Sequence, residues 1–113
     1  MPNIYESIPE KLRDEFVGEI ARGSSFKLER IISKGHSTPE GEWYDQGEDE
    51  WVILLKGSAG ILFEGNEKVV DLKPGDYLHL PAHLKHRVEW TDTKTETIWL
   101  ALHYEGAIDQ RKG

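Results

Sequence analysis

The chain has 113 residues, with 21 acidic side chains against 14 Lys and Arg, a formal charge of −7 and no cysteine. That length predicts a single domain, and the missing thiols exclude zinc–thiolate sites, iron–sulfur clusters, thiol nucleophiles and disulfide frameworks, in keeping with a reducing cytoplasm. Negative charge without a basic run opposes binding to phosphate backbones, and no apolar window approaches the ~20 residues of a membrane helix, so nucleic acid and membrane are not expected partners.

In chain order, the first expected element is a helix. The N-terminal segment MPNIYESIPEKLRDEF has neither the basic start nor the apolar stretch of a signal peptide, which predicts a soluble, cytoplasmic protein. Ser7 and Glu10 have capping-box spacing, Pro9 falls in the first turn, and Ile8, Leu12, Phe16 and Ile20 recur every four residues. The pattern predicts a helix over 9–22, stopped by Gly23, as a helical extension spanning 1–24. From Phe26 the period changes to short β-branched and aromatic runs broken by Gly, Pro, Asn and Asp. Strands are expected at about 25–34, 42–46, 50–56, 58–64, 67–72, 77–81, 86–91 and 97–104. A tight hairpin turn is expected at Glu64-Gly65-Asn66-Glu67 and a type II turn at Lys73-Pro74-Gly75-Asp76. Together they predict an all-β fold, a small antiparallel barrel or jelly roll over 25–104 with one N-terminal α-helix and a tail over 105–113.

Two sets of side chains carry possible chemistry. Between Gly35 and Leu55 lie Glu40, Glu42, Asp45, Glu48, Asp49 and Glu50 with no Lys or Arg, a run that reads either as a solvated loop or as a source of inward carboxylates. Tyr44, Gln46 and Glu50 share parity and project to one face if Gly47-Glu48 forms a turn or bulge. An inward Glu50 then needs a donor, a cation or a metal. His79, His83 and His86 crowd a second segment. Parity sets His79 opposite Leu78 and Leu80, exposed or at a subunit contact, and places His86 inward with Val88 and Trp90. His83 joins His86 only if the chain bends after Pro81-Ala82. Trp43 and Trp90 flank these residues, so either could line an aromatic pocket, with packing the simpler role for both. His36 and His103 read as surface or interface residues.

These segments resemble the cupins. Tyr44 to Glu50, followed by Gly57, is similar to the first cupin motif, G-x5-H-x-H-x3,4-E-x6-G, and Gly75 to His86 to the second, G-x5-P-x-G-x2-H-x3-N. The resemblance covers about 25–104 and includes Gly57-Ser58-Ala59-Gly60-Ile61 and the hairpin at Gly65-Asn66. It aligns Glu50 and His86 with metal ligands of the family, while Tyr44 and Gln46 stand where the two motif-1 histidines would be. His83 replaces a glycine, Trp90 the terminal Asn, and Thr38 the leading glycine.

The resemblance implies one divalent ion (Fe, Mn, Ni or Zn), held by Glu50, His86 and either His83 or Gln46, with no organic cofactor. Tyr44 would then donate a proton or orient substrate. It further implies a homodimer and a small-molecule enzyme of dioxygenase, isomerase or lyase type. The alternative is a non-catalytic module that binds or senses a small ligand through the same pocket.

Overall fold

A computed structural model describes residues 1–105 of the chain; the C-terminal tail expected beyond Glu105 lies outside them. Eight strands follow in order: β1 (Phe16–Arg22), β2 (Phe26–Ser33), β3 (Asp49–Lys56), β4 (Ala59–Phe63), β5 (Val70–Leu72), β6 (Tyr77–Leu80), β7 (His86–Thr91) and β8 (Thr97–Tyr104). They form a five-stranded sheet, β1-β2-β8-β3-β6, and a three-stranded sheet, β5-β4-β7, with every pairing antiparallel. The fold is therefore all-β as expected, but the two sheets do not join into a closed barrel.

The expected helix over 9–22 is absent among the described residues. Residues 16–22 are an edge strand paired with β2, from Phe16 opposite Ile32 to Arg22 opposite Lys27. The four-residue spacing also contains a two-residue alternation: Val17 turns toward the interior between the sheets, whereas Phe16, Gly18 and Ile20 face outward along the N-terminal segment. Gly18 weakens a helix, and the free edge of β2 offers backbone partners that an isolated helix lacks, so tertiary pairing overrides the local pattern. Ser7, read as the helix cap, has φ +57°, not the extended backbone of a capping residue. The 1–15 segment is held instead by Arg30, whose guanidinium donates to the carbonyls of Ile4, Glu6 and Ser7.

The expected strand at 42–46 reduces to a single bridge, in which Tyr44 and His86 exchange backbone hydrogen bonds of 2.8 and 3.2 Å. The rest of that connection runs irregularly along β7, tied by Thr38 N–H to the Val88 carbonyl at 2.9 Å. Arg87 secures it by donating to the carbonyls of Thr38, Pro39 and Glu42 while stacking over Trp43. The expected turn at Lys73–Asp76 forms, with Gly75 at φ +94° and Asp76 N–H bonded to the Lys73 carbonyl. The expected tight hairpin turn at 64–67 shifts back by one residue, Asn66 N–H bonding the Phe63 carbonyl with Gly65 at φ +87°, and opens into a longer connection because β5 begins only at Val70.

The buried core gathers Val52, Leu54, Ala59, Ile61, Leu72, Leu80, Trp99 and Ala101 from both sheets. Burial alternates along β3 through Glu50, Val52 and Leu54, which places Glu50 on the interior face. The same alternation fails in β7. A register shift against Gly60-Ile61 turns Trp90 to the outside, over Gly60, so Trp90 does not join His86 on the inner face as expected. Among the described residues no helix is long and apolar enough to cross a membrane.

Candidate functional site

Between the two sheets lies a cavity of about 190 Å³, open at one end. At roughly 30 Å³ per water it holds about six waters, a space for a small metabolite. Its apolar walls come from Val17, Ile31, Val52, Ile61, Leu80 and Val88, with Trp99 as the aromatic surface. Tyr44, Gln46, Glu50 and His86, four of the five residues singled out in the sequence, face it together.

Glu50 is 7% exposed and receives no hydrogen bond among the described residues. The nearest imidazole is that of His103, with Nε2 3.7 Å from Oε2. Burial raises the Glu50 pKa above the ordinary 4.5; the neighbouring His103 and His86 oppose the rise, and Glu29 and Glu15 add to it. His86 is equally buried, at 6%. Its Nδ1–H donates to the Leu84 carbonyl at 2.9 Å, which leaves Nε2 as the free nitrogen of the ring. The Tyr44 ring stacks on His86 with centroids 5.4 Å apart. Burial, followed by the charge of Glu15, raises the Tyr44 pKa above 10, so the phenol keeps its proton at neutral pH.

His83 does not join this group. The bend after Pro81-Ala82 exists, but His83 takes φ +64° and points to solvent, where Nδ1–H donates to Asp45 at 2.9 Å. The left-handed backbone is one that glycine adopts without strain, and His83 keeps it through this contact and its own N–H bond to the Gln46 carbonyl. Trp43 and Trp90 also stay outside the cavity; the aromatic role falls to Tyr44 and Trp99.

His103, Glu29 and Glu15 line the cavity without having been singled out for it. His103, expected at the surface or an interface, instead looks inward with Trp99 and Ala101. The signal was register. β8 lies between β2 and β3, which sets Glu50 directly across from His103 and Glu29 one diagonal step away. His103 Nε2 is accordingly 3.0 Å from Glu29. Glu15 stands at the rim with an exposed side chain, accepts a bond from the Ser33 hydroxyl, and has a pKa raised by desolvation of its carboxyl, which outweighs the lowering by Ser33 and His36. His36 is held by backbone groups, accepting from Lys34 N–H and donating to the Arg13 carbonyl. His79 lies on the outer face, as parity predicts, but half-buried, 2.7 Å from the Tyr104 hydroxyl.

The residues present do not fit the divalent ion that the motifs imply. A stable site needs three or more convergent donors, and among the described residues no group of three His, Asp or Glu is placed to hold a metal. Glu50 and His86 are strong donors, but Gln46 offers only an amide, Tyr44 a protonated phenol, His83 is turned away, and His103 Nε2 already stands 3.0 Å from Glu29.

The two-sheet architecture agrees with comparison to known proteins. Residues 29–103 match the family model described as a cupin domain. A protein of Ralstonia eutropha JMP134, provisionally described as a mannose-6-phosphate isomerase, is 43% identical, with a TM-score of 0.90 over 94% of this chain and 98% of that one. A cupin superfamily protein of Desulfitobacterium hafniense DCB-2 shares 20% identity and superposes with a TM-score of 0.69 over 86% and 83% of the two chains. An RmlC-like cupin of Methanocaldococcus jannaschii with a double-stranded β-helix fold shares 13%, with a TM-score of 0.66 over 86% and 85%. No curated protein matches the sequence. With the family model matched over residues 29–103 and two antiparallel sheets enclosing a cavity, this chain belongs to the cupin family.

Proposed function

We infer that the protein is an acid–base enzyme of isomerase type, acting on a small hydroxycarbonyl compound without a resident metal. One observation carries the reading: Glu50 is buried, without a hydrogen bond among the described residues, raised in pKa and facing a cavity beside His86. Leaving a carboxylate in that state costs stability, and such groups concentrate where chemistry uses them. The description of the 43% identical relative as an isomerase supports the same reaction class.

The chemistry follows from the three side chains. The Glu50 carboxylate takes the proton from carbon next to the substrate carbonyl, and its raised pKa makes it a better base near neutrality than an ordinary carboxylate. Tyr44, still protonated, donates a hydrogen bond to the oxygen where negative charge gathers. His86 Nε2 accepts the proton of the adjacent hydroxyl and returns it to the former carbonyl oxygen, while Glu50 returns its proton to the former carbonyl carbon. One C–H and one O–H are lost and one of each is regained, so the product is the isomer. The apolar walls exclude water from the intermediate.

Deuterium exchange tests this directly. Small 2-hydroxyaldehydes and hydroxyketones incubated in D2O at neutral pH should gain deuterium beside the carbonyl, read by proton NMR. Glu50→Gln should lower the rate at least about 100-fold and Tyr44→Phe about 10- to 100-fold, the range for single acid–base groups. EDTA should change nothing. Exchange that survives in Glu50→Gln, or that EDTA abolishes and a divalent ion restores, would overturn the reading. Ligand-induced stabilisation without exchange would favour the non-catalytic alternative, for which Gln46 and Tyr44 supply hydrogen bonds.

A further inference from the structure

We propose that this cavity selects substrates bearing no phosphate or carboxylate, so the natural substrate is an uncharged hydroxycarbonyl compound and not a sugar phosphate. The inference rests on the acid–base reading of the site and names the substrate class within it. Three carboxyl groups, Glu15, Glu29 and Glu50, line the cavity, and the only other titratable groups there are the Tyr44 phenol and the imidazoles of His86 and His103. No Lys or Arg lines it among the described residues. The nearest cations serve elsewhere. Lys27 stands 3.7 Å from Glu29 without reaching the cavity, Arg30 is spent on the N-terminal carbonyls, and Arg87 on the 38–42 connection and Glu89. His83, at the exposed end, is paired with Asp45.

Strong phosphate recognition draws on fork-shaped guanidinium groups, an ammonium or a helix N-terminus aimed at the anion, and among the described residues none of these lines the cavity. The described residues contain no helix. The one deeply buried carboxylate, Glu50, has no donor of its own and faces the same space a phosphate would enter. Hydroxyl groups, by contrast, can donate to Glu50 and Glu29 and accept from Tyr44 and Gln46. The small volume and apolar walls favour a short or compact molecule over one extended by a phosphate ester.

Matched probes decide the matter. Binding of dihydroxyacetone against dihydroxyacetone phosphate, and of mannose against mannose 6-phosphate, is measured by calorimetry at low salt with the intact chain. Each phosphate should bind at least about tenfold more weakly than its neutral counterpart, with the gap shrinking as salt rises. Glu15→Lys, at the rim, should raise the affinity for each phosphate about tenfold relative to that for its neutral counterpart. A phosphate that binds as well as its neutral partner to the wild-type chain overturns the proposal, as does failure of both neutral probes to bind. A neutral probe that binds in preference but shows no deuterium exchange leaves the selectivity standing and removes the proton-transfer reading instead.

Discussion

Glu50 shows how one side chain couples stability to function. Because burial raises its pKa, the folded state holds the proton more tightly than the unfolded chain, whose pKa is near 4.5. Its contribution to stability is therefore fully present below 4.5 and is lost as pH rises from there through the folded value. Glu50→Gln keeps the shape and removes the charge, so it should raise the melting temperature near pH 7.5 while changing little near pH 4, even as deuterium exchange disappears. Thermal unfolding of both proteins across that range checks it; equal pH slopes in the two would contradict the burial argument. Glu15 has the same sign but sits at the exposed rim, so its effect is smaller.

Among the elements, the β3–β4 connection depends most on a single residue. Gly57 has φ +85°, and a Cβ there would stand 2.7 Å from Thr97 Cα and 2.8 Å from the Glu96 carbonyl, both backbone atoms of the β8 approach. Gly57→Ala should destabilise by more than about 2 kcal/mol, adding overpacking to the left-handed penalty. Gly65 has a similar φ of +87° with nothing within 4 Å, so Gly65→Ala should cost only the conformational part, about 1 kcal/mol. Urea unfolding of the pair separates backbone strain from collision. At the other end of the sheet, Arg30→Met deletes the bonds to Ile4, Glu6 and Ser7. Amide exchange and proteolysis of residues 1–15 should then accelerate, with the rest of the chain unaffected.

At the scale of the whole molecule, two sheets create an interior whose walls are mostly apolar but which holds three carboxyl groups, Glu50 deeply buried and Glu15 at the exposed rim. The metal content tests how complete that arrangement is: protein reloaded with Fe, Mn, Ni or Zn and then desalted should retain less than about a tenth of an equivalent, because two strong donors and an amide bind transition metals weakly. Stoichiometric retention by metal analysis would show that the cavity rearranges to bring in a further ligand.

How much of this could be read in advance differs by element. The strands of the second half were legible because each keeps its own alternation between turn signals, and the Pro74-Gly75 and Gly65-Asn66 turns depend on local backbone conformation alone. The pairing of Glu50 with His86 was legible for a related reason: strand parity turns each inward, and cupin motif spacing marks both. By contrast, β1 carries helical and strand spacings at once, and the unpaired edge of β2 selects between them. His103 and Glu29 meet because β8 lies between β2 and β3, a neighbour relation set by chain topology and written in no local segment. Trp90 leaves the interior through a register shift, and His83 through a left-handed backbone. Periodicity and turn chemistry act within a few residues and so are carried by the chain itself. The charge of the cavity and the set of side chains it gathers depend on which distant strands become neighbours, which emerges only when the sheets assemble.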